Sequence, residues 1–301
     1  DLSTLANYQV YFRFRGKSAH AANTPHLGRS ALDAVELMNV GANYLREHIV
    51  SEARMHYAVT NTGGISPNVV QANAEVLYLI RAPRVDQVGE IYQRLIKVAK
   101  GAAMMTETEV EIDFDKGCSN YVSNRHLESM LHKNLTEAGP GEPAQDEKDF
   151  ARKLWNTLSE SEQQNYLAPL SGFGYTGDGE EYAGKYLADS ISPYEAREGV
   201  LAGSTDVADV SWVAPTAQLT AATASLGTSV HTWQMTTQGL SDFANRGMMR
   251  AASAMSMTGI QLFESKEDLQ QAKSEFEQFR KKNDYKNPIP AGVQPSRLDE
   301  K

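Results

Sequence analysis

The chain has 301 residues with 29 basic and 38 acidic side chains, a formal net charge of −9. That balance argues against nucleic acid as a partner, because phosphate binding needs a concentrated basic surface. No apolar run approaches the ~18 residues of a membrane helix, and the single cysteine, Cys118, leaves neither an internal disulfide nor a multi-cysteine metal site. The opening DLSTLANYQV has no basic n-region and no apolar h-region. With the lone cysteine this predicts a protein of the reducing cytoplasm, with no membrane partner.

Residues 7–116 read as strand, helix, strand, strand, helix, strand. In NYQVYFRFRG the residues Tyr8, Val10, Phe12 and Phe14 alternate with polar neighbours, the pattern of a half-buried strand. The loop GKSAHAANTPHLGRSALDA then holds His20 and His26 among small residues and turn formers. Ser30, with Asp33 three positions on, reads as a helix cap. Ala31, Val35, Met38, Ala42, Leu45 and Ile49 recur at spacings of four and three, which makes one helical face. MHYAVTNTGG and NAEVLYLIRAP predict two strands joined by a Gly/Pro/Asn loop. VDQVGEIYQRLIKVAKGAAMM predicts a second helix, and TEVEIDFDKG a fourth strand. The βαββαβ order is the split, ferredoxin-like arrangement of four antiparallel strands with two helices on one face.

The second half is less periodic. NRHLESMLHKNLTEAG and DEKDFARKLWNTL predict helices, and residues 166–200 a loop or insertion. VSWVAPTAQLTAATASLG predicts two short buried strands around Pro215. A helix from about Thr237 to Phe263 is expected next, with Phe243, Met248, Met255 and Leu262 in the core. From Glu264 the Lys-, Glu- and Gln-rich tail predicts a solvated helix followed by an extended segment.

Each polar candidate has an ordinary explanation beside a chemical one. His20 lies where a strand hands over to a helix, and loop histidines are commonly just solvated; His26 follows Pro25 and shapes the turn. Asn68, in GGISPNVVQ, stands where Asn routinely makes a turn. Arg81 ends VLYLIR on the face of Leu77 and Leu79; it either reaches water or aims its fork at a carboxylate. His231 follows the apolar segment in SLGTSVHTWQ, a place where α/β proteins set ligands, though a lone histidine is a weak signal. Ser204, Thr205, Asp206 and Asp209 in GSTDVADVSW read as a helix cap with acids on the first turn. Glu180 and Glu181 read as a solvated acidic pair. His-x-Asp, His-x-x-x-His, HExxH, Gly-x-Ser-x-Gly and Walker motifs are all missing. The residues alone define a soluble α/β protein with scattered polar candidates.

Taken together, GKSAHAANTPHLGRSALDA, GGISPNVVQANAEVLYLIRAP, GSTDVADVSW and GTSVHTW resemble the co-catalytic metallo-aminoacylase and carboxypeptidase family, in that family's order. The resemblance implies an α/β catalytic domain with an α+β lid of βαββαβ form that also makes a homodimer. On it, residues 1–117 are the lid and 118–301 the C-terminal portion of the catalytic domain with a polar tail. It implies that His20 crosses to the partner's site to polarise the scissile carbonyl, that Asn68 and Arg81 bind the intermediate and a substrate carboxylate, and that His231 is a metal ligand. It also implies two divalent ions, zinc or manganese, acting on a small N-acyl amino acid of the aminobenzoyl-glutamate kind, with room for a second subunit. The family's other metal ligands and its general-base Glu precede the lid, and no counterparts stand before the lid here. The chain by itself is therefore expected to be inactive. A non-catalytic dimerisation or regulatory protein that keeps only the lid interface is the alternative.

Overall fold

A computed structural model describes residues 2–196 and 198–294. They form two compact units. One holds residues 4–121, 203–209 and 285–294; the other is built from residues 122–196, 198–202 and 210–284, with residues 2 and 3.

After the short strand β1 (Leu2–Thr4), the first unit runs β2 (Ala6–Arg15), α1 (Ala31–Leu45), β3 (Arg54–Asn61), β4 (Asn73–Ala82), α2 (Val85–Thr106) and β5 (Glu109–Cys118). The sheet order is β3-β4-β2-β5, and all its neighbours are antiparallel. The βαββαβ expectation therefore stands. Val10, Phe12 and Phe14 of β2 and Val76, Tyr78 and Ile80 of β4 alternate onto one face, where α1 and α2 cover them through Val35, Met38, Val88 and Leu95. Burying each such side chain is worth roughly 1.5–3 kcal/mol, so this layer holds the unit together. Ser30 caps α1 as its spacing predicts, its Oγ accepting from the Asp33 N–H at 3.1 Å. Across the outer face Arg13 bridges Glu75 and Asp113 at 2.5 and 2.7 Å, exposed pairs worth up to about 1 kcal/mol each.

The second unit is helical. It contains α3 (Arg125–Ala138), α4 (Gln145–Trp155), α5 (Glu160–Gln164) and α6 (Ala168–Ser171). A two-stranded ladder joins β1 to β6 (Gly199–Leu201); after α7 (Val207–Ser211), whose residues 207–209 count with the first unit, come α8 (Trp233–Thr237), α9 (Asp242–Glu264) and α10 (Lys266–Arg280). α3 packs on α9, where the Asn134 amide donates to Thr258 and Gln261 at 2.9 and 2.8 Å. The apolar cluster in this unit is small, built on Ala151, Leu187, Phe243 and Ala244. No described helix is long and apolar enough to cross a membrane.

Several expectations for this half are corrected. The two strands predicted around Pro215 do not form: residues 212–224 carry no ladder. Their apolar residues find no strand beside them among the described residues. The long helix begins at Asp242 rather than Thr237, because Ser241 caps it by accepting from the Ala244 N–H. Phe243 is buried as expected, but Met248 and Met255 are 56% and 55% exposed and Leu262 is half-buried. The buried side of α9 is instead Phe243, Ala244, Gly247, Ala254 and Thr258. Small residues win that side because the chain passes so close: a Cβ on Gly247 would stand 2.1 Å from the Ala222 carbonyl oxygen. The helix after Glu264 is not merely solvated either. Ala272 is buried, and the Glu275 carboxylate accepts the Arg125 and His126 N–H groups at the start of α3, at 2.7 and 3.1 Å. The last part of the extended tail, 295–301, lies outside the described residues.

Candidate functional site

The histidine loop and the asparagine loop are laced together beyond one end of the sheet. Gly16 N–H donates to Ala72 O, Ala21 N–H to Asn68 O and Val70 N–H to Ala19 O, at 2.7, 2.9 and 3.0 Å, and His20 bridges Val69. Two glycines permit this approach. A Cβ on Gly16 would meet Arg29 O at 2.0 Å, and one on Gly28 would press on Val70 at 2.9 Å. Ser30 and Gln71, 3.3 Å apart, tie the second loop to the start of α1.

His20 itself is exposed, and its backbone is fixed by this lacing. Its Nδ1 accepts the Asn23 N–H at 3.1 Å and the Ala22 N–H at 3.3 Å. A neutral ring whose Nδ1 accepts carries its proton on Nε2. The loop therefore presents His20 as an Nε2–H donor, with Asn68 beside it. His26 sits in the neighbouring turn, where its carbonyl accepts from Arg29; it is the turn-shaping residue its sequence context predicts.

Arg81 is elsewhere. It lies opposite Asn7 at the far end of β4, whereas Asn73, nearest the two loops, lies opposite Arg15. Eight residues of strand separate Arg81 from that end, about 26 Å. Structure thus pairs His20 with Asn68 and sets Arg81 apart. Around Arg81 the register places Arg54, and His56 is one strand over. Burial, then Arg81, Arg46 and Arg54, push the His56 imidazole below its usual range. Arg81 Nη1 also reaches Ser204 Oγ at 3.5 Å. Arg46, Arg54 and Arg81 gather around His56, while Asp206 and Asp209 join Arg81 around Cys118, so this end of the sheet carries both signs of charge. Arg54 and His56 escaped the sequence reading, since only the β3–β4 register brings them to Arg81.

The GSTDVADVSW cluster does more than cap a helix. Thr205 Oγ1 accepts the Val207 N–H at 3.3 Å, but Asp209 accepts from Ser119 N–H, Ser119 Oγ–H and Tyr285 O–H at 3.1, 2.7 and 3.2 Å. It pins the loop carrying Ser204 to the end of β5. Cys118 is buried next to it, and burial, then Asp209, push its thiol upward, which favours the protonated form. Glu180 and Glu181 are both exposed, Glu181 accepting from Tyr175 O–H at 2.7 Å.

His231, in the helical unit, is exposed with φ of 63°. It is held left-handed just before Thr232, which caps α8. Non-glycine residues in that region carry a local cost and concentrate at functional positions. Among the described residues no group of three or more His, Cys, Asp or Glu is placed to hold a metal ion. His231 alone does not fit a metal pair.

Residues 4–104, within the first unit, match the model of the M20 peptidase dimerisation domain. Among individual relatives, the chain is 49% identical over 299 residues, 98% of its length, to a p-aminobenzoyl-glutamate hydrolase subunit of Escherichia coli (strain K12). The chain spans 62% of that relative's own length. Xaa-Arg dipeptidase of Mus musculus is 29% identical over 46% of the chain and 32% of the dipeptidase. A crystal structure of an aminobenzoyl-glutamate utilization protein from Klebsiella pneumoniae aligns with a TM-score of 0.40 and 22% identity, over 45% of this chain and 34% of that one.

Proposed function

We propose that the chain is the lid and C-terminal portion of a metal-dependent amidohydrolase that cleaves the amide of p-aminobenzoyl-glutamate or a related N-acyl amino acid. The likeness along 98% of the chain to the E. coli p-aminobenzoyl-glutamate hydrolase carries this reading. The laced His20–Asn68 loop and the Arg81 guanidinium at the far end of β4 support it. The zinc or manganese pair implied by the family would need ligands beyond this chain's described residues, with His231 as one contributor. The 301 residues alone are therefore expected to be inactive.

In this reading His20, as an Nε2–H donor, and Asn68 hold the oxygen that gains charge as the amide carbonyl is attacked. Such donors are worth about 2.7–4 kcal/mol each. Arg81 binds a carboxylate of the acyl amino acid through a charge-assisted fork. Because the length of β4 separates them, one copy of the lid cannot bring His20 and Arg81 to the same small substrate. A complete site takes Arg81 from one copy and His20 with Asn68 from its dimer partner.

The same unit has the edge such a dimer needs. β3 is an outer strand with Tyr57 and Val59 exposed, and Leu37, Val40 and Tyr44 form an open apolar stripe on α1. An unprotected apolar edge strand beside an apolar helix flank fits an isologous two-fold interface. A further, different polypeptide is compatible with this assembly.

The test is release of p-aminobenzoate from p-aminobenzoyl-glutamate, followed by chromatography with Zn²⁺ or Mn²⁺. The chain alone is compared with the chain fused to the portion of the E. coli relative that it does not match. Hydrolysis by the fusion only is the expected result. A dimeric fusion that binds two ions and cleaves nothing would overturn the reading in favour of a non-catalytic dimerisation protein.

A further inference from the structure

The loops that present His20 also present an apolar side chain beside it. His20 and Val69 face each other as an antiparallel pair, bracketed by Ala21 N–H to Asn68 O and Val70 N–H to Ala19 O at 2.9 and 3.0 Å. Those bonds come from the flanking residues, which makes this the non-hydrogen-bonded kind of pair. Its two side chains share one face, with Cβ atoms about 4.5–5.5 Å apart. Alternation agrees: Val70 turns back onto Gly28, where a Cβ would stand 2.9 Å from its side chain, so Val69 points the other way, to the side of His20. A turn from Ser66 to Val69, closed by Val69 N–H to Ser66 O at 3.2 Å with Pro67 in second place, holds Val69 there. Val69 is 44% exposed, and Ile65 on the same loop is fully exposed. Residues 62–72 carry no charged side chain.

We infer that Val69, with Ile65 on the same loop, is the surface that recognises the acyl group of the amide, and that the group it selects is an uncharged aromatic ring. The inference rests on the functional reading above, in which His20 Nε2–H holds the oxygen of the scissile carbonyl. That carbonyl has two flanks. One leads to the amine, which in an acyl-glutamate carries carboxylates. Set against an uncharged apolar loop they would lose water and gain no partner, at a cost well above any contact made. The other flank leads to the acyl group, and in a benzoyl amide the ring is bonded directly to the carbonyl carbon. A ring placed there falls beside the side chain next to His20, and valine offers it contact without charge. The two ends of the lid then read the two ends of the substrate, Arg81 of one copy the carboxylate and Val69 of the other the ring. A small acyl group such as acetyl leaves most of Val69 uncovered, and succinyl brings a carboxylate against it.

Acyl-group preference tests this in the fusion with the unmatched portion of the E. coli relative, read as kcat/KM for benzoyl-glutamate over acetyl-glutamate. Val69→Ala should lower that ratio about tenfold. Val69→Lys should lower it further while raising kcat/KM for succinyl-glutamate. Preference for glutamate over its diamide on the amine side, which Arg81 reads, should not move in Val69→Ala. Light-driven labelling with p-azidobenzoyl-glutamate carries a reactive group on the ring and needs no hydrolysis. Its adducts should map to residues 62–72 and disappear in excess p-aminobenzoyl-glutamate. A ratio unmoved in both variants, or no adduct in that segment, would overturn the inference. A fusion that cleaves nothing yet is labelled at Val69 fails the functional reading and leaves this one standing. One that cleaves with an unmoved ratio does the reverse.

Discussion

In the βαββαβ unit the sheet takes the main apolar face of each helix and leaves a flank of α1 open; in the helical unit α9 buries a small-residue side and leaves a larger apolar side open. Phe12, Tyr78 and Leu95 disappear completely between sheet and helices, while Met248, Met255 and Phe263 stand in the open. The first unit closes its core with its own strands. The second lacks a sheet among its described residues beyond the short β1–β6 ladder, and its apolar cluster on Ala151, Leu187, Phe243 and Ala244 stays small. Burial depends on a partner layer as much as on side-chain type.

The largest effect should come from breaking the closed core. Phe12→Ala should destabilise the lid unit by about 3–5 kcal/mol, while Met255→Ala in the chain alone should change stability by less than about 0.5 kcal/mol. Chemical denaturation of the two variants measures that contrast, and equal losses would erase it.

The next contrast lies within the lid, between its two ends. On the proposed reading, in a fusion that hydrolyses the amide, His20→Ala should lower kcat about 10²- to 10³-fold with little change in KM. Arg81→Ala should mainly raise KM, because its carboxylate is present in ground and transition states alike. Mixing the two variant chains should restore activity, since one site of the mixed dimer then receives Arg81 from one copy and His20 from the other. If His20 and Arg81 came from the same copy, no mixed dimer would hold an intact site and activity would stay lost. Kinetics on re-equilibrated mixtures decides between the two geometries.

A smaller effect is expected at the lid edge. Val40→Asp should weaken the dimer at least tenfold and leave the lid folded, as followed by sedimentation and circular dichroism. A dimer indifferent to Val40→Asp and to charge on Tyr57 or Val59 would move the interface elsewhere.

The smallest is pH dependence. His56 is pushed below its usual range by burial and the neighbouring Arg81, Arg46 and Arg54, and His132 by burial. A base whose folded value lies below its unfolded value near 6.5 favours the unfolded state once that state protonates. The stability present above pH 6.5 should therefore fall as the pH drops through that value toward the lowered folded ones. His56→Gln should flatten part of this slope in melting curves between about pH 7.5 and 5.5. An unchanged slope would remove His56 from the account.

The amino-acid sequence by itself determined the βαββαβ unit. Alternation in β2 and β4, the four-and-three stripe of α1 from Ala31 to Leu45, and the Ser30–Asp33 cap are local signals that sit where their period puts them; Ile49, expected on the same stripe, lies past the helix in extended backbone. The turn role of His26 and the solvated Glu180–Glu181 pair were legible for the same reason. Only tertiary structure decided that His20 leans on the Ala22 and Asn23 amides, that Asn68 is laced to its loop, and that Arg81 stands at the other end of the sheet among Arg54 and His56. Strand register fixes these placements, and register is a property of pairs of distant segments that no single segment encodes. In the helical unit, periodicity marked Phe243, Met248 and Met255 as apolar but could not say which side of α9 would be covered. That depends on what is packed against it, and close approach at Gly247 turned the small-residue side inward.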